Sequence, residues 1–337
     1  MKLERTSEQE KLATIVQRFS ERKVVVVGDL VADQFLYGEI SRVSREAPVL
    51  ILRHERTETT PGGAANAAVN LAALGARAVL IGATGSDAVG IALREKLYAA
   101  RVDFTGVVSS QTQQTATKVR ILAGQIHSTR QQVIRIDYES PSLIESAITE
   151  TLRAHLNLEA NEAEAIIISD YNYGVADELM IKTAREVARR RNIPVLVDSR
   201  FRLKEFADFT SATPNEDEVE QLLERKFRNT VELARAGEKL RAELNYQALL
   251  VTRGSNGMML FEANKEPLQI EPVGAREPVD VTGAGDTVIA TYALALASGA
   301  SFADAARIAN YAGGLVVMKR GTASVTCQEL LSSILHV

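Results

Sequence analysis

Five short aliphatic runs constrain the fold most: KVVVVGD at 23–29, AVLIGA at 78–83, AIIISD at 165–170, PVLVD at 194–198 and ALLVTRG at 248–254. Runs with almost no polar interruption suit strands buried on both faces, the condition of a parallel sheet. Helical patterns separate them: GGAANAAVNLAALG at 62–75, then segments near 88–100, 141–157, 176–191 and 215–244. A leading helix is expected over 7–20, where Leu12, Ile15, Val16 and Phe19 recur at helical spacing. The alternation predicts an α/β protein: three layers, with a mostly parallel central sheet. Right-handed crossovers then gather the loops at the strand C-termini on one side, where ligands bind in open α/β sheets. Asp29, Asp170, Asp198 and Arg253 all fall at those strand ends, and Asp29 and Asp170 are candidates for substrate binding.

Two segments break the alternation. FLYGEISRVSREAPVLILRHE at 35–55 contains no good helix, and TATKVRILAGQIHSTRQQVIRIDYE at 115–139 reads as two strands joined by a polar loop. Together they predict a small β flap, from about 33–56 and 113–139, on a body spanning 22–337 behind an N-terminal extension of residues 1–21. Such a flap beside the strand C-termini is a candidate lid, or a set of ordinary edge strands.

The segment DVTGAGD at 280–286 joins a glycine turn to the apolar helix TVIATYALALA. The first N–H groups of a helix lack internal partners, and with the helix dipole they form an anion site. Gly283, Ala284 and Gly285 make that turn, and Asp286 stands where a base could accept the proton of an attacking hydroxyl. Taken alone, Asp286 reads equally as a helix N-cap or first-turn acid. Gly62 and Gly63 bring backbone N–H groups close to a substrate, with Asn66 in the next helical turn, or simply end a turn. Asn215 and Glu218 share one face of a helix start and offer oxygen ligands to Mg²⁺; the same pair fits a capping box.

Arg42, Arg45, Lys118, Arg120 and Arg135 lie in the flap segments, amid strand-like residues. Several cations over a sugar pocket point to a substrate that already carries a phosphate, although a solvated strand face has the same pattern. Asp29, Asp33 and Asp137 are candidates to accept bonds from sugar hydroxyls. There is no GxxxxGK[ST] loop, no GxGxxG after a strand and no protein-kinase signature set. With 39 basic and 43 acidic residues interspersed, nothing resembles a nucleic-acid tail or a polybasic membrane patch. The charged N-terminus lacks a signal-peptide core, and no apolar run reaches the ~18 residues of a membrane span. The single cysteine, Cys327, and four scattered histidines argue against a disulfide or a Cys/His zinc site. A cytoplasmic protein is expected.

With GGAANAAVNLAALG and DVTGAGDT in this order, the chain resembles the ribokinase-type (PfkB) sugar kinases over about residues 22–335. VVGDLVADQFLYG, SRVSREAPV, ATKVRIL, VIRIDYE, SDYNYG and VTRGSNGM resemble one branch, the bacterial D-glycero-β-D-manno-heptose 7-phosphate kinases. The resemblance implies a ribokinase-like fold and an ATP- and Mg²⁺-dependent kinase acting at O1 of the heptose phosphate, towards ADP-heptose and lipopolysaccharide core. It implies Asp286 as base, with Gly283, Ala284 and Gly285 as anion hole. Asn215 and Glu218 would sit near Mg²⁺ and the phosphates, and Thr252, Arg253, Gly254, Gly257 and Asn310 near the nucleotide. Asp29, Asn66, Lys118 and Arg135 would line the sugar site. Tyr173 stands where that branch usually has Lys, and Ser199 and Arg200 where it has Pro-Lys. These departures bear on the sugar and leave the phosphotransfer core intact. The same fold also serves kinases of fructose phosphate, ribose or nucleosides, and a regulator binding sugar phosphate without catalysis is a further alternative. The chain ends soon after the resemblance does, so no second activity is expected. The flaps of two subunits are expected to pair in a homodimer.

Overall fold

The computed structural model describes residues 6–124, 130–139, 144–274 and 277–336. Its strands are β1 (Lys23–Gly28), β2 (Leu30–Val43), β3 (Leu50–Gly63), β4 (Arg77–Gly85), β5 (Asp103–Ser110), β6 (Thr117–Gly124), β7 (Gln131–Tyr138), β8 (Ala165–Asp170), β9 (Val195–Ser199), β10 (Ser211–Ala212), β11 (Ala248–Thr252), β12 (Met258–Glu262) and β13 (Leu268–Ile270). Its α-helices are α1 (Ser7–Val16), α2 (Ala64–Ala73), α3 (Ala88–Ala99), α4 (Ser146–Glu159), α5 (Glu178–Arg191), α6 (Glu216–Leu222), α7 (Thr230–Glu243), α8 (Ala284–Ala297), α9 (Phe302–Val316) and α10 (Cys327–His336).

The large sheet runs β13-β12-β11-β10-β9-β8-β1-β4-β5. It is parallel from β11 to β5, and β12 and β13 add an antiparallel hairpin edge. Side chains alternate across it, and each face has its own core. Val24 and Val26 of β1 join the cluster containing α2, α8 and α9 residues, while Val25 and Val27 join that of α4, α5 and α7. All four valines are fully buried. At ~1.5–3 kcal/mol per buried aliphatic side chain, a polar residue at any of them would be costly. That is why β1 reads as a run and not as an alternation.

The flap is a second sheet, β3-β2-β6-β7. β2 pairs antiparallel with β3 and parallel with β6, and β6 pairs antiparallel with β7. β2 leaves the body just after Asp29, so the flap rises from the C-terminal edge of the sheet. The connection between β6 and β7, residues 125–129, and the first three residues of the predicted 141–157 helix lie outside the described residues, as do residues 1–5 of the predicted extension.

The predicted helix over 215–244 is two helices, α6 and α7. Glu224 between them has φ 50°, and the Glu220 carboxylate accepts the Phe227 N–H at 2.7 Å across the break. The leading helix stops at Val16 and passes into a 3₁₀ turn at Phe19–Glu21. Among the described residues no helix is long and apolar enough to cross a membrane.

Candidate active site

The site lies where α8 meets the C-terminal ends of β1, β8 and β9. Gly283 is the N-cap of α8 with φ 76°, a conformation that favours glycine. A Cβ there would sit 2.5 Å from the Asn66 Nδ2, so the turn and α2 close on each other only over glycine. Asp286 is therefore the third residue of the helix, not its N-cap. Its carboxylate accepts hydrogen bonds from Asn66 Nδ2 at 2.7 Å and from the Tyr171 hydroxyl at 3.2 Å. Asn66 is held in turn: Asn70 Nδ2 donates to its Oδ1 at 3.1 Å, and Asn70 Oδ1 accepts from the Thr287 hydroxyl at 3.0 Å. Burial pushes the Asp286 carboxyl up to about 7, reinforced by the Asp33 charge and opposed by the Asn66 and Tyr171 hydrogen bonds. Burial, then the Asp286 charge, raises the Tyr171 phenol, which stays a donor.

Helix geometry leaves the Gly285 and Asp286 N–H groups without intrahelical acceptors. A Cβ at Gly285 would meet no atom within 4 Å, so the turn opens on space. Asp280 braces it from below, accepting Thr282 N–H at 2.9 Å and Gly321 N–H at 2.8 Å. Burial alone would raise Asp280, but those bonds outweigh it and hold the carboxyl below its usual range.

Two clefts meet at Tyr171, Arg200 and Gly285. One is lined by Asp33, Gly63, Lys118, Arg120, Arg135, Thr282, Gly283 and Asp286. Asp33 and Arg120 form an ion pair in it. Arg135 is tied to Asp137, with nitrogen–oxygen distances of 2.9 and 3.0 Å. Lys118 is 7% exposed, and its ammonium lies 4.8 Å from the Tyr171 ring centre. Burial, then the charge of Arg200, lowers its pKa. Gly62 has a steric role, since a Cβ there would lie 2.4 Å from Asp33 Oδ2. Gly63 (φ 58°) caps α2 and approaches the Asp29 carbonyl.

The second cleft is lined by Asp170, Asp198, Arg200, Thr213, Asn215, Glu218 and Thr252. The Asn215–Glu218 capping box forms, at 2.8 and 2.9 Å, on the same residues that face this cleft. Asp198 is pushed well above the carboxylate range by burial, then by Glu218, Asp286 and Asp170. The Thr213 hydroxyl is buried and makes no hydrogen bond. Among the described residues no three acidic or histidine side chains are close enough to cage a metal. The mutually repelling oxygens of Asp198 and Glu218 do fit Mg²⁺ held largely through water.

Other predicted residues have different placements. Both Asp29 oxygens accept backbone N–H groups of the 171–175 loop, at 2.8–3.1 Å, and burial raises its carboxyl to about 6. Asp170 pairs with Arg202 and accepts the Ser199 hydroxyl at 2.7 Å. Arg253 pairs with Glu216 at 3.0 Å, while Gly254 and Gly257 turn the chain from β11 into β12 at φ 53° and 76°. Asn310 Nδ2 donates to the Glu271 carbonyl at 2.7 Å, which ties α9 to the end of β13. Arg42 and Arg45 are exposed and line neither cleft. Arg42 is roughly 30 Å along β2 from Asp33, at ~3.3 Å per residue.

The sequence profile of the pfkB family carbohydrate kinases matches residues 21–328. The chain belongs to this family. It is therefore a phosphotransferase with an alcohol group of a carbohydrate as acceptor. It is 41% identical to the Bifunctional protein HldE of Pseudomonas aeruginosa (strain UCBPP-PA14) over 320 residues, 94% of this chain and 64% of that protein. It is 39% identical to the Bifunctional protein HldE of Geobacter sulfurreducens over 92% of this chain and 62% of that protein. The chain thus spans less than two thirds of the curated relatives it matches. The fold is shared with Arabidopsis thaliana ribokinase complexed with ribose and ATP (TM-score 0.71, 22% identity, 93% of this chain and 98% of that one). Escherichia coli phosphofructokinase-2 in complex with fructose-6-phosphate gives a TM-score of 0.72 at 18% identity, with the same coverage. The family expectation drawn from the two glycine motifs is borne out. Tyr171 and Thr213, which line the clefts, and Asn70 and Thr287, which hold Asn66 from behind, are not singled out in the sequence. SDYNYG contains Tyr171 as well as the departing Tyr173, and it is the segment that could point to both.

Proposed function

We propose that this kinase transfers the γ-phosphoryl group of ATP to O1 of D-glycero-β-D-manno-heptose 7-phosphate, giving the 1,7-bisphosphate and ADP. The observation that carries the reading is Asp286, a buried carboxylate beside the free N–H groups of α8 where two clefts meet. The acceptor hydroxyl lies in the cleft of Asp33 and Lys118, and its proton passes to Asp286 as its oxygen bonds to phosphorus. The bond from phosphorus to the ADP oxygen breaks, and ADP leaves with the electron pair. The α8 N-terminus stabilises the developing charge. ATP lies along the second cleft, beside Asn215 and Thr252. Asp198 and Glu218, with Asn215 alongside, would hold Mg²⁺, which neutralises phosphate charge when bound. Lys118, almost fully buried and without an ion pair among the described residues, favours a sugar bearing its own phosphate. A cytoplasmic setting, with ATP at hand, and flaps paired between two copies belong to the same reading.

A coupled ADP-release assay over heptose 7-phosphate, the unphosphorylated heptose, fructose 6-phosphate and ribose tests it. One charge-assisted contact, at ~1.5–3 kcal/mol, predicts at least ~10-fold higher kcat/KM for the phosphorylated heptose. Equal values for the two heptoses would remove the phosphate site. A higher value for fructose 6-phosphate would reassign the sugar, and no ADP release with any sugar would leave a binding protein.

A further inference from the structure

Of the flap cations, only Lys118 lines a cleft without an ion pair among the described residues, and it lines the sugar cleft alone. Arg120 is paired with Asp33 and Arg135 with Asp137, and Arg42 and Arg45 are out along the flap. Of the three residues that line both clefts, the cation is Arg200, just past the end of β9. Its stem is fixed. Its N–H donates to the Asp170 carbonyl at 3.1 Å, and the neighbouring Ser199 hydroxyl donates to the Asp170 carboxylate at 2.7 Å. Its head is not. The side chain is exposed and makes no ion pair among the described residues; its guanidinium stands 5.7 Å from the Phe201 ring centre. In the same cleft the Thr213 hydroxyl, 6% exposed, lacks a partner. An unpaired guanidinium and an unpartnered buried hydroxyl thus face one space beside Gly285. Burying that hydroxyl unsatisfied is unfavourable, so an oxygen-rich ligand is the natural occupant.

We propose that Arg200 is the clamp for the phosphoryl group in transit, gripping it from the β9 side. The assignment rests on the kinase reading above and adds a catalytic residue to it, so the departure at Arg200 bears on phosphotransfer and not on the sugar alone. During transfer the bond to the acceptor oxygen forms, the bond to the ADP oxygen breaks, and charge spreads over the three equatorial oxygens. The proton is on Asp286 and the electron pair is on ADP. A planar guanidinium placed between the clefts has several donors for those oxygens, whereas a lysine there would supply one point charge. Because the planar, in-line arrangement of the group exists only in the transition state, a contact fitted to it raises kcat more than it lowers KM.

Steady-state kinetics of wild type, Arg200→Lys and Arg200→Ala on the best sugar, with melting curves to establish folding, test the proposal. Wild-type turnover in the same assay reports on the kinase reading, and the ratio of variant to wild type reports on Arg200. Arg200→Ala is expected to lower kcat by ~10²–10³ with KM for the sugar within ~3-fold, and Arg200→Lys to fall between. Added millimolar guanidinium ion is expected to recover activity in Arg200→Ala and not in wild type. A tenfold rise in sugar KM at unchanged kcat would instead make Arg200 a reader of the acceptor's own phosphate. Wild-type kinetics in Arg200→Ala would make it a solvated side chain. Either result overturns the clamp.

Discussion

A carboxyl raised to about 7 is part-protonated near neutrality, so Asp286 links rate to pH. Only the ionised form can accept the proton of the acceptor hydroxyl. The kcat/KM of the enzyme is therefore expected to rise with pH and level off above about 7, with the inflection belonging to the free enzyme. A profile flat from about pH 5 to about pH 8 would remove Asp286 from that role. Asp286→Asn keeps the shape and should lower turnover by roughly 10²–10⁴ while ATP affinity, measured by calorimetry, stays close to wild type. At this scale the sequence shows the reacting group but not what surrounds it. Asp286, Asn66 and the glycines were legible because they belong to contiguous motifs. Tyr171 and Thr287 were not, because their bonds, to Asp286 and to Asn70, join residues 115 and 217 positions apart. Arg135 and Asp137 were legible as charged but not as a pair. Residues two apart on a strand share a face, so each partly neutralises the other. Asn215 and Glu218 had two readings, and the capping box formed in the cleft leaves room for both.

The start of α8 makes a sharper test at the level of elements. Gly283 is required by its φ of 76° and by Asn66. Gly285 has no such constraint, since a Cβ there has open space around it. Gly285→Val should therefore fold, with a melting temperature within a few degrees of wild type, yet lose most activity because the side chain fills the space before the N–H groups. A folded variant with normal turnover would show that no phosphoryl group sits at this helix start. Strands β1, β4, β8, β9 and β11 and helices α2, α3, α5 and α8 were legible because burial on both faces, or on one stripe, leaves a run or a period in the sequence. β5 was not, since DFTGVVSS mixes polar and apolar residues at an edge of the sheet, and neither was β12, whose MMLFE has no β-branched residue. The break between α6 and α7 was hidden too. It depends on a positive φ at Glu224, a residue that no turn propensity marks.

The whole molecule divides into a body whose faces are both covered and a flap with two open edges, β3 and β7. Every residue of β7 is exposed, including Val133 (43%), Ile134 (55%), Ile136 (41%) and Tyr138 (52%). Val43, Val49 and Leu50 at the β2–β3 end are also about half exposed or more, at 58%, 54% and 48%. An exposed strand edge with apolar side chains is an aggregation hazard unless something pairs with or covers it. A second copy of the chain is the commonest cover, and a two-fold axis lets the same face serve both partners. A homodimer with flap against flap is therefore expected, each lid standing over its own sugar cleft. Light scattering at micromolar concentration should give twice the chain mass, and Ile134→Asp with Ile136→Asp should halve it while the melting transition of the body persists. The paired variant should also lose affinity for the sugar more than for ATP, because Lys118 and Arg120 ride on β6, the strand beside β7. A monomeric wild type, with activity independent of dilution, would rule out the shared lid and leave the flap to fold down on its own body.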